Sequence, residues 1–207
     1  MARGALGKLR RQAFHFLEEP TIRLQLVGRL FHPYWRWRFH GFGGRSIVSK
    51  PIWLRGAHKI AIGEDTIILR SWLSVERSAW RRPGPVLQIG DRAAIGPNCR
   101  IVAGESVVIE DDVGISSSCL VIDTKHRMDG PHDQIALNPV STKPVRIGRG
   151  SGLGERVSVL QGSEIGRHCV IGTNSVVDGH IPDYSVAVGA PARVIGRTRD
   201  PEASAGV

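Results

Sequence analysis

Every sixth residue from Ile147 to Val177 is aliphatic: Ile147, Leu153, Val159, Ile165, Ile171 and Val177. Glycine follows four of them (Gly148, Gly154, Gly166 and Gly172). Four places after the first five stand Ser151, Val157, Ser163, Cys169 and Ser175, all small. A helix would repeat its apolar residues at three and four, and a half-buried strand would alternate. A strict six suits neither. It suits a chain that turns a corner every six residues and stacks its turns, the hexapeptide form of a parallel β-helix. Each six-residue side then points one branched side chain inward, worth roughly 1.5–3 kcal/mol once removed from water. The next position lies at a corner where a Cβ would crowd the turn, which favours glycine. The slot four places on has room only for a small side chain.

The 207 residues suffice for one well-buried domain with a small appendage, and 25 glycines and 12 prolines suit a fold made mostly of corners. The net charge of +9 is localised: residues 1–45 hold nine Lys/Arg against Glu18 and Glu19, so they supply +7 of it. A basic appendage, rather than a generally basic surface, is what the charge describes, and no nucleic-acid module accompanies it. Cys99, Cys119 and Cys169 each fall four residues after an aliphatic anchor (Ile95, Ile115 and Ile165), the small inward slot. They read as buried packing thiols in a reducing compartment. No apolar run has membrane-spanning length, and Met1–Arg11 lacks the hydrophobic segment of a signal peptide, so the cytoplasm is expected.

Three regions follow: a basic amphipathic helical segment over 1–45, the β-helix over 46–198, and a disordered tail over 199–207. Leu6, Leu9, Ala13, Phe16 and Leu17 sit at helical spacing within 5–31, interrupted at Pro20; Thr21 caps a second segment that should end before Pro33. The aromatic and basic run from Phe31 to Phe39 either caps the open end of the β-helix or meets an anionic membrane surface. Coils begin at Ile47, with Leu54, Ile62 and Ile68 as early anchors. Glu76 to Gln88 should loop out before spacing resumes at Ile89, Ile95 and Ile101, then at Ile109, Ile115 and Val121. The polar, proline-punctuated stretch 123–145 has no anchors at six. An excursion of that length from a compact coil is more often functional than ornamental.

Three features resemble the hexapeptide-repeat acyltransferases, the group that includes maltose, galactoside, serine and xenobiotic O-acetyltransferases. They are the ladder from Ile147; the closing run Gly172-Thr173-Asn174-Ser175-Val176-Val177 with Ile181-Pro182 and Val188 to Ile195; and Val121-Ile122-Asp123-Thr124-Lys125-His126, a histidine opening a long loop. The resemblance spans Ile47 to Ile195. It implies a left-handed parallel β-helix, an exception to the right-handed crossover rule, assembled as a homotrimer with acetyl-CoA between subunits. It also implies that His126 takes the acceptor's proton while the acceptor attacks the thioester directly. An imidazole ordinarily titrates near about 6.5, so its neutral form is available, and a placed general base contributes roughly 10²–10⁴-fold. His132 is the reserve.

Asp123 either orients His126 or terminates the coil with a side-chain turn, and the turn is the preferred reading. Asn98 falls where the sugar acetyltransferases bind acceptor, or forms an Asx corner in Gly96-Pro97-Asn98. For coenzyme A, Gly154 and Thr173 would offer corner backbone, and Arg193 and Arg197 would meet the nucleotide end. Two positions depart from the family: Gly152 stands where a tryptophan is common, and Asp178-Gly179 replaces a Thr-Lys pair, which puts a phosphate contact in doubt. The expected activity is O-acetylation of a sugar or surface-polysaccharide precursor, the alternative being N-acetylation of an amino sugar or small natural product. No metal is expected. A γ-type carbonic anhydrase would need three histidines converging on zinc, and His126, His132 and His168 lack the spacing. A non-catalytic β-helix binding a partner through 1–45 is the remaining alternative.

Overall fold

A computed structural model of the chain describes residues 20–198. The helix expected over 5–19 and the tail 199–207 lie outside the described residues. Three sheets of seven, eight and six strands run along the molecule, and successive strands of the chain enter them in rotation. Each coil therefore gives one strand to each face of a triangular prism. Pairing is parallel throughout the coils. The last strand, Ala192–Arg197, instead returns antiparallel against Ser185–Gly189.

Register aligns the anchors in three inner columns. The first sheet stacks Phe42, Ile62, Ile89, Ile109, Ile147, Ile165 and Ile181. The second stacks Val48, Ile68, Ile95, Ile115, Leu153, Ile171 and Ala187. The third stacks Leu54, Leu73, Ile101, Val121, Val159 and Val177. All but the end members Phe42 and Leu54 are buried. The early coils differ from the six-residue reading in three places. Val48, not Ile47, occupies the inner column; Ile47 faces the helix, where a Cβ on Gly28 would lie 2.6 Å from its Cγ1. The first coil opens earlier than residue 46, since Gly41–Phe42 already pairs with Ala61–Ile62. Leu87–Ile89 is already strand, so the loop is shorter; it holds a 3₁₀ turn at Arg77–Arg81 and folds back through a Trp80 indole bond to the Val75 carbonyl, 3.1 Å.

Corners explain the glycines. A Cβ on Gly166 would run into the Asp183 carboxylate, and one on Gly148 would lie 2.6 Å from the Gly166 carbonyl carbon. Asp183 occupies that space because its Oδ1 accepts the Arg167 amide of the coil below, 2.8 Å. Asp91 and Asp111 repeat the device, accepting the Glu64 and Asp91 amides at 2.8 and 2.9 Å. The small slots are buried and their polar groups paired: Ser151 donates to the Gly166 carbonyl (2.7 Å) and accepts the Cys169 amide (2.9 Å). The three cysteines are free and buried. Hydrogen bonding to Cys119, together with burial, pushes the Cys99 thiol up, and burial does the same to Cys169. Neither behaves as a ready nucleophile.

The helix α1 spans Pro20–Arg38 and passes through Pro33, where the sequence reading ended it. An internal proline costs about 3 kcal/mol. Burial of Trp35 and Phe39 offsets that cost, because both join the core cluster and continue it as a stack, Trp35–Phe39 at 5.5 Å and Phe39–Phe42 at 5.6 Å. This aromatic plug closes the first end of the prism. The other side of α1 leaves Leu30 and Trp37 76% and 78% exposed, with Phe31 and Tyr34 about half-exposed, beside Arg36 and Arg38.

Candidate active site

The excursion over 123–145 is an arm rather than a loose loop. Thr124–His126 pairs antiparallel with Val140–Thr142, and a 3₁₀ turn at Ile135–Leu137 lies at its far end. Asp123 is fully buried at the root, where its carboxylate accepts the amides of Gly104 (2.6 Å), Glu105 (2.7 Å) and Ser106 (2.9 Å). Burial pushes its pKa up, while those three N–H groups favour the charged form. Asp123 therefore closes the corner of the preceding coil. It does not orient His126. Thr142 donates to Glu105 at 2.6 Å, a second tie across the same root.

His126 is exposed, and its Nδ1 lies 3.0 Å from the Asn138 carbonyl. A carbonyl only accepts, so Nδ1 carries a hydrogen, and in the neutral ring it is Nε2 that holds the lone pair. That is the tautomer a general base requires. Asn138 is itself 3% exposed and braces the arm through its side chain: Oδ1 accepts the His132 amide (2.9 Å) and Nδ2 donates to the His132 carbonyl (3.1 Å). The sequence reading did not single out Asn138, although Asn138-Pro139 is a turn dipeptide whose amide side chain can bond nearby backbone. His132 contributes backbone to this brace, not its ring.

The other expected residues fall on different edges. Asn98 is exposed with φ +61°, at the corner between the second and third sheets. That is the Asx-type corner conformation, and Asn174 repeats it at φ +61° on a later coil. Gly154 and Thr173 sit at this corner too and touch across coils: a Cβ on Gly154 would lie 2.8 Å from the Thr173 amide nitrogen and Oγ1. His126 leaves from the corner between the third and first sheets, so a full face of the prism separates it from Asn98 within one chain. Arg193 pairs with Val188 and Arg197 with Ser185, which puts the two arginines toward opposite ends of one strand. A Cβ on Gly152 would meet nothing within 4 Å, so the common tryptophan's place is open surface. Gly179 takes φ +124° at an exposed corner beside Asp178. His168 stacks on Tyr184 at 5.3 Å, on another edge from the arm. Among the described residues no group of three His, Cys, Asp or Glu side chains could hold a metal ion.

A probable acetyltransferase of Mycobacterium tuberculosis is 33% identical over 202 residues, covering 93% of this chain and 67% of the relative. An Escherichia coli protein named as a lipopolysaccharide biosynthesis O-acetyl transferase, WbbJ, is 31% identical over 156 residues, 72% of this chain and 77% of its own. The chain belongs to the hexapeptide-repeat acetyltransferases. No protein-family model matches it. Solved structures of such enzymes share the fold: a Bacillus cereus N-acyltransferase, AntD, has a TM-score of 0.69 at 20% identity, covering 84% of this chain and 92% of that one. A Clostridium difficile maltose O-acetyltransferase has 0.58 at 22%, covering 89% and 91%. The prism is thus the left-handed parallel β-helix of hexapeptide-repeat acetyltransferases.

Proposed function

We propose that this hexapeptide-repeat acetyltransferase moves an acetyl group from acetyl-CoA to a hydroxyl of a sugar or surface-polysaccharide precursor, with His126 as general base. The carrying observation is the Asn138 carbonyl on Nδ1, which leaves Nε2 as the ring nitrogen available to an acceptor. Nε2 takes the acceptor O–H proton as that oxygen attacks the thioester carbonyl. The C–S bond then breaks, and the imidazolium returns its proton to the departing thiolate. Acetyl-CoA suits the corner of Gly154 and Thr173, whose backbone is close-packed and open to solvent, with exposed Arg193 as a phosphate partner. A structural neighbour from Vibrio cholerae, at 23% identity, was solved with acetyl coenzyme A.

The active unit is a homotrimer in which the arm bridges two copies. Met128 and Leu137 on the arm are 71% and 60% exposed, and Ile135 and Val140 are about half-exposed, an apolar surface for a neighbour to cover. The same assembly would bring the Asn98 edge of one copy toward His126 of another. Purified protein is expected to sediment as a trimer and to release free thiol from acetyl-CoA only with a hydroxyl acceptor. Turnover of an amino sugar alongside silence from every hydroxyl acceptor would replace O-transfer by N-transfer.

The enzyme works at the inner face of the membrane, held there by the outer side of α1. No described helix is long and apolar enough to span a bilayer. Leu30, Phe31, Tyr34 and Trp37 instead form an apolar stripe beside Arg36 and Arg38, the composition of an interfacial helix. Co-sedimentation with phosphatidylglycerol vesicles should fall when Trp37→Ala and Leu30→Ala are combined. Undiminished sedimentation would rule this attachment out.

A further inference from the structure

The outer side of the third sheet carries a stack that neither the core nor the arm uses. Trp53, Trp72 and Arg100 are in register on three neighbouring strands, with Leu54, Leu73 and Ile101 beside them filling the inner column. The two indoles lie 5.9 Å apart and 25° from parallel, and the Arg100 guanidinium sits 5.7 Å from the Trp72 ring centre. Trp53 is nonetheless 50% exposed and Trp72 38%. Trp53 belongs to the terminal strand of its sheet, so among the described residues no further strand lies beyond its ring. Large aromatic rings on rigid strand positions, kept in water, carry an apolar surface already paid for in organisation. Exposed Lys50 and Arg70 stand at the preceding corners, next to Asn98, whose amide donates to the Arg70 carbonyl at 2.9 Å.

We propose that this stack is a remote acceptor subsite, which holds one sugar ring of an extended anionic glycan while another ring of the same glycan presents its hydroxyl for transfer. The proposal rests on the O-acetyltransfer reading above. A pyranose offers a face of C–H groups that packs flat on an indole, and Trp53 leaves such a face open. Lys50, Arg70 and Arg100 favour carboxylates or phosphates on the same chain. Position sets the length. The strand Leu120–Ile122 runs straight into the arm that bears His126, and Leu120 is in register with Arg100, which is in register with Trp72. Strands are spaced about 4.8 Å apart, so Trp72 lies about 10 Å and Trp53 about 14 Å along the prism from that strand. One sugar cannot reach from the stack to the arm; a short chain of them can.

Galacturonic acid and its linear di-, tri- and tetramers, with maltotetraose as the neutral control, serve as probes in calorimetric titration and tryptophan fluorescence. The acid tetramer should bind about tenfold more tightly than the monomer and change the indole emission. Trp53→Ala should erase that advantage, and Trp53→Phe should restore most of it. Equal affinity for monomer and tetramer, or an advantage that survives Trp53→Ala, overturns the subsite. A trimer that dissociates in Trp53→Ala also overturns it, since the stack is then a contact between copies. Maltotetraose binding as tightly as the acid tetramer overturns the anionic half. Either failure with hydroxyl-dependent thiol release intact leaves the transfer reading standing; no thiol release with any acceptor overturns the transfer reading and the acceptor role of the stack with it.

Discussion

The coils and the arm solve the same problem in opposite ways. In a coil, each residue's environment is supplied by its counterpart one turn above and below: Ile109 lies between Ile89 and Ile147, and every neighbour repeats the same demand. Specific side-chain chemistry is almost irrelevant there provided size and shape fit. In the arm nothing repeats. Its conformation depends on a few single contacts, namely Asp123 at the root, Asn138 in the middle and one antiparallel pairing. Redundancy makes the prism rigid; singularity lets the arm carry an exposed imidazole with a defined tautomer.

The largest expected effect separates the two regions cleanly. His126→Ala should lower kcat by roughly 10²–10⁴-fold with little change in melting temperature, since the ring is exposed and makes one hydrogen bond. Ile147→Ala should do the reverse, costing about 2–5 kcal/mol of stability through the cavity it leaves in a fully buried column. Acetyl-CoA turnover and calorimetric melting on both variants measure the contrast. A His126→Ala enzyme that keeps wild-type kcat would remove this imidazole from the chemistry.

A smaller effect tests whether the arm is as singular as it looks. Asn138→Ala removes both side-chain bonds to His132 and leaves that backbone short of partners, a loss of about 1–3 kcal/mol confined to the arm. The expected result is faster proteolysis within 127–139 and a lower kcat, with global melting nearly unchanged. Global destabilisation equal to the local loss would mean that the arm folds as one unit with the prism.

This division also explains what could be read from sequence. The columns from Ile89 onward were legible because a stacked prism imposes one demand at each turn, and a six-residue period is visible without any knowledge of contacts. Val48 was not, although it keeps the six-residue spacing between Phe42 and Leu54, because the adjacent Ile47 is equally aliphatic and faces the helix; Leu73 was not, because it follows Ile68 by five residues instead of six. Pro33 misled for a related reason: local backbone preference ended the helix, whereas the burial of Trp35 and Phe39 against Phe42 carries it on. In the arm, His126 stood out by its place at the start of an excursion together with the resemblance to the hexapeptide-repeat acyltransferases. Asn138 did not, because its role is a backbone carbonyl and two bonds to a residue six positions away, which no spacing announces. Asn98 and His126 lie on different edges, a relation that only the coil order reveals.

The smallest effect belongs to the edge between the first and second sheets, where redundancy is electrostatic. Asp112 accepts from Arg92 Nε at 2.6 Å and from Arg149 Nε at 3.2 Å. The Arg92 hydrogen bond, more than any other contact, holds its carboxyl down at about 2, below the ordinary value of 3.8. Between those values the unfolded chain binds a proton that the folded chain does not. The contribution is therefore complete above the ordinary carboxylate range and disappears as pH falls toward about 2. Its size is limited because the Asp112 side chain is 39% exposed and screened by solvent, which leaves roughly 0.2–1 kcal/mol. Asp112→Asn should flatten the acid limb of melting temperature against pH by that small amount and change nothing at neutral pH beyond the same loss. A larger effect would mean that neighbouring pairs such as Arg149–Asp111 fail together with it, so that the charged edge behaves as a coupled network rather than as a row of independent pairs.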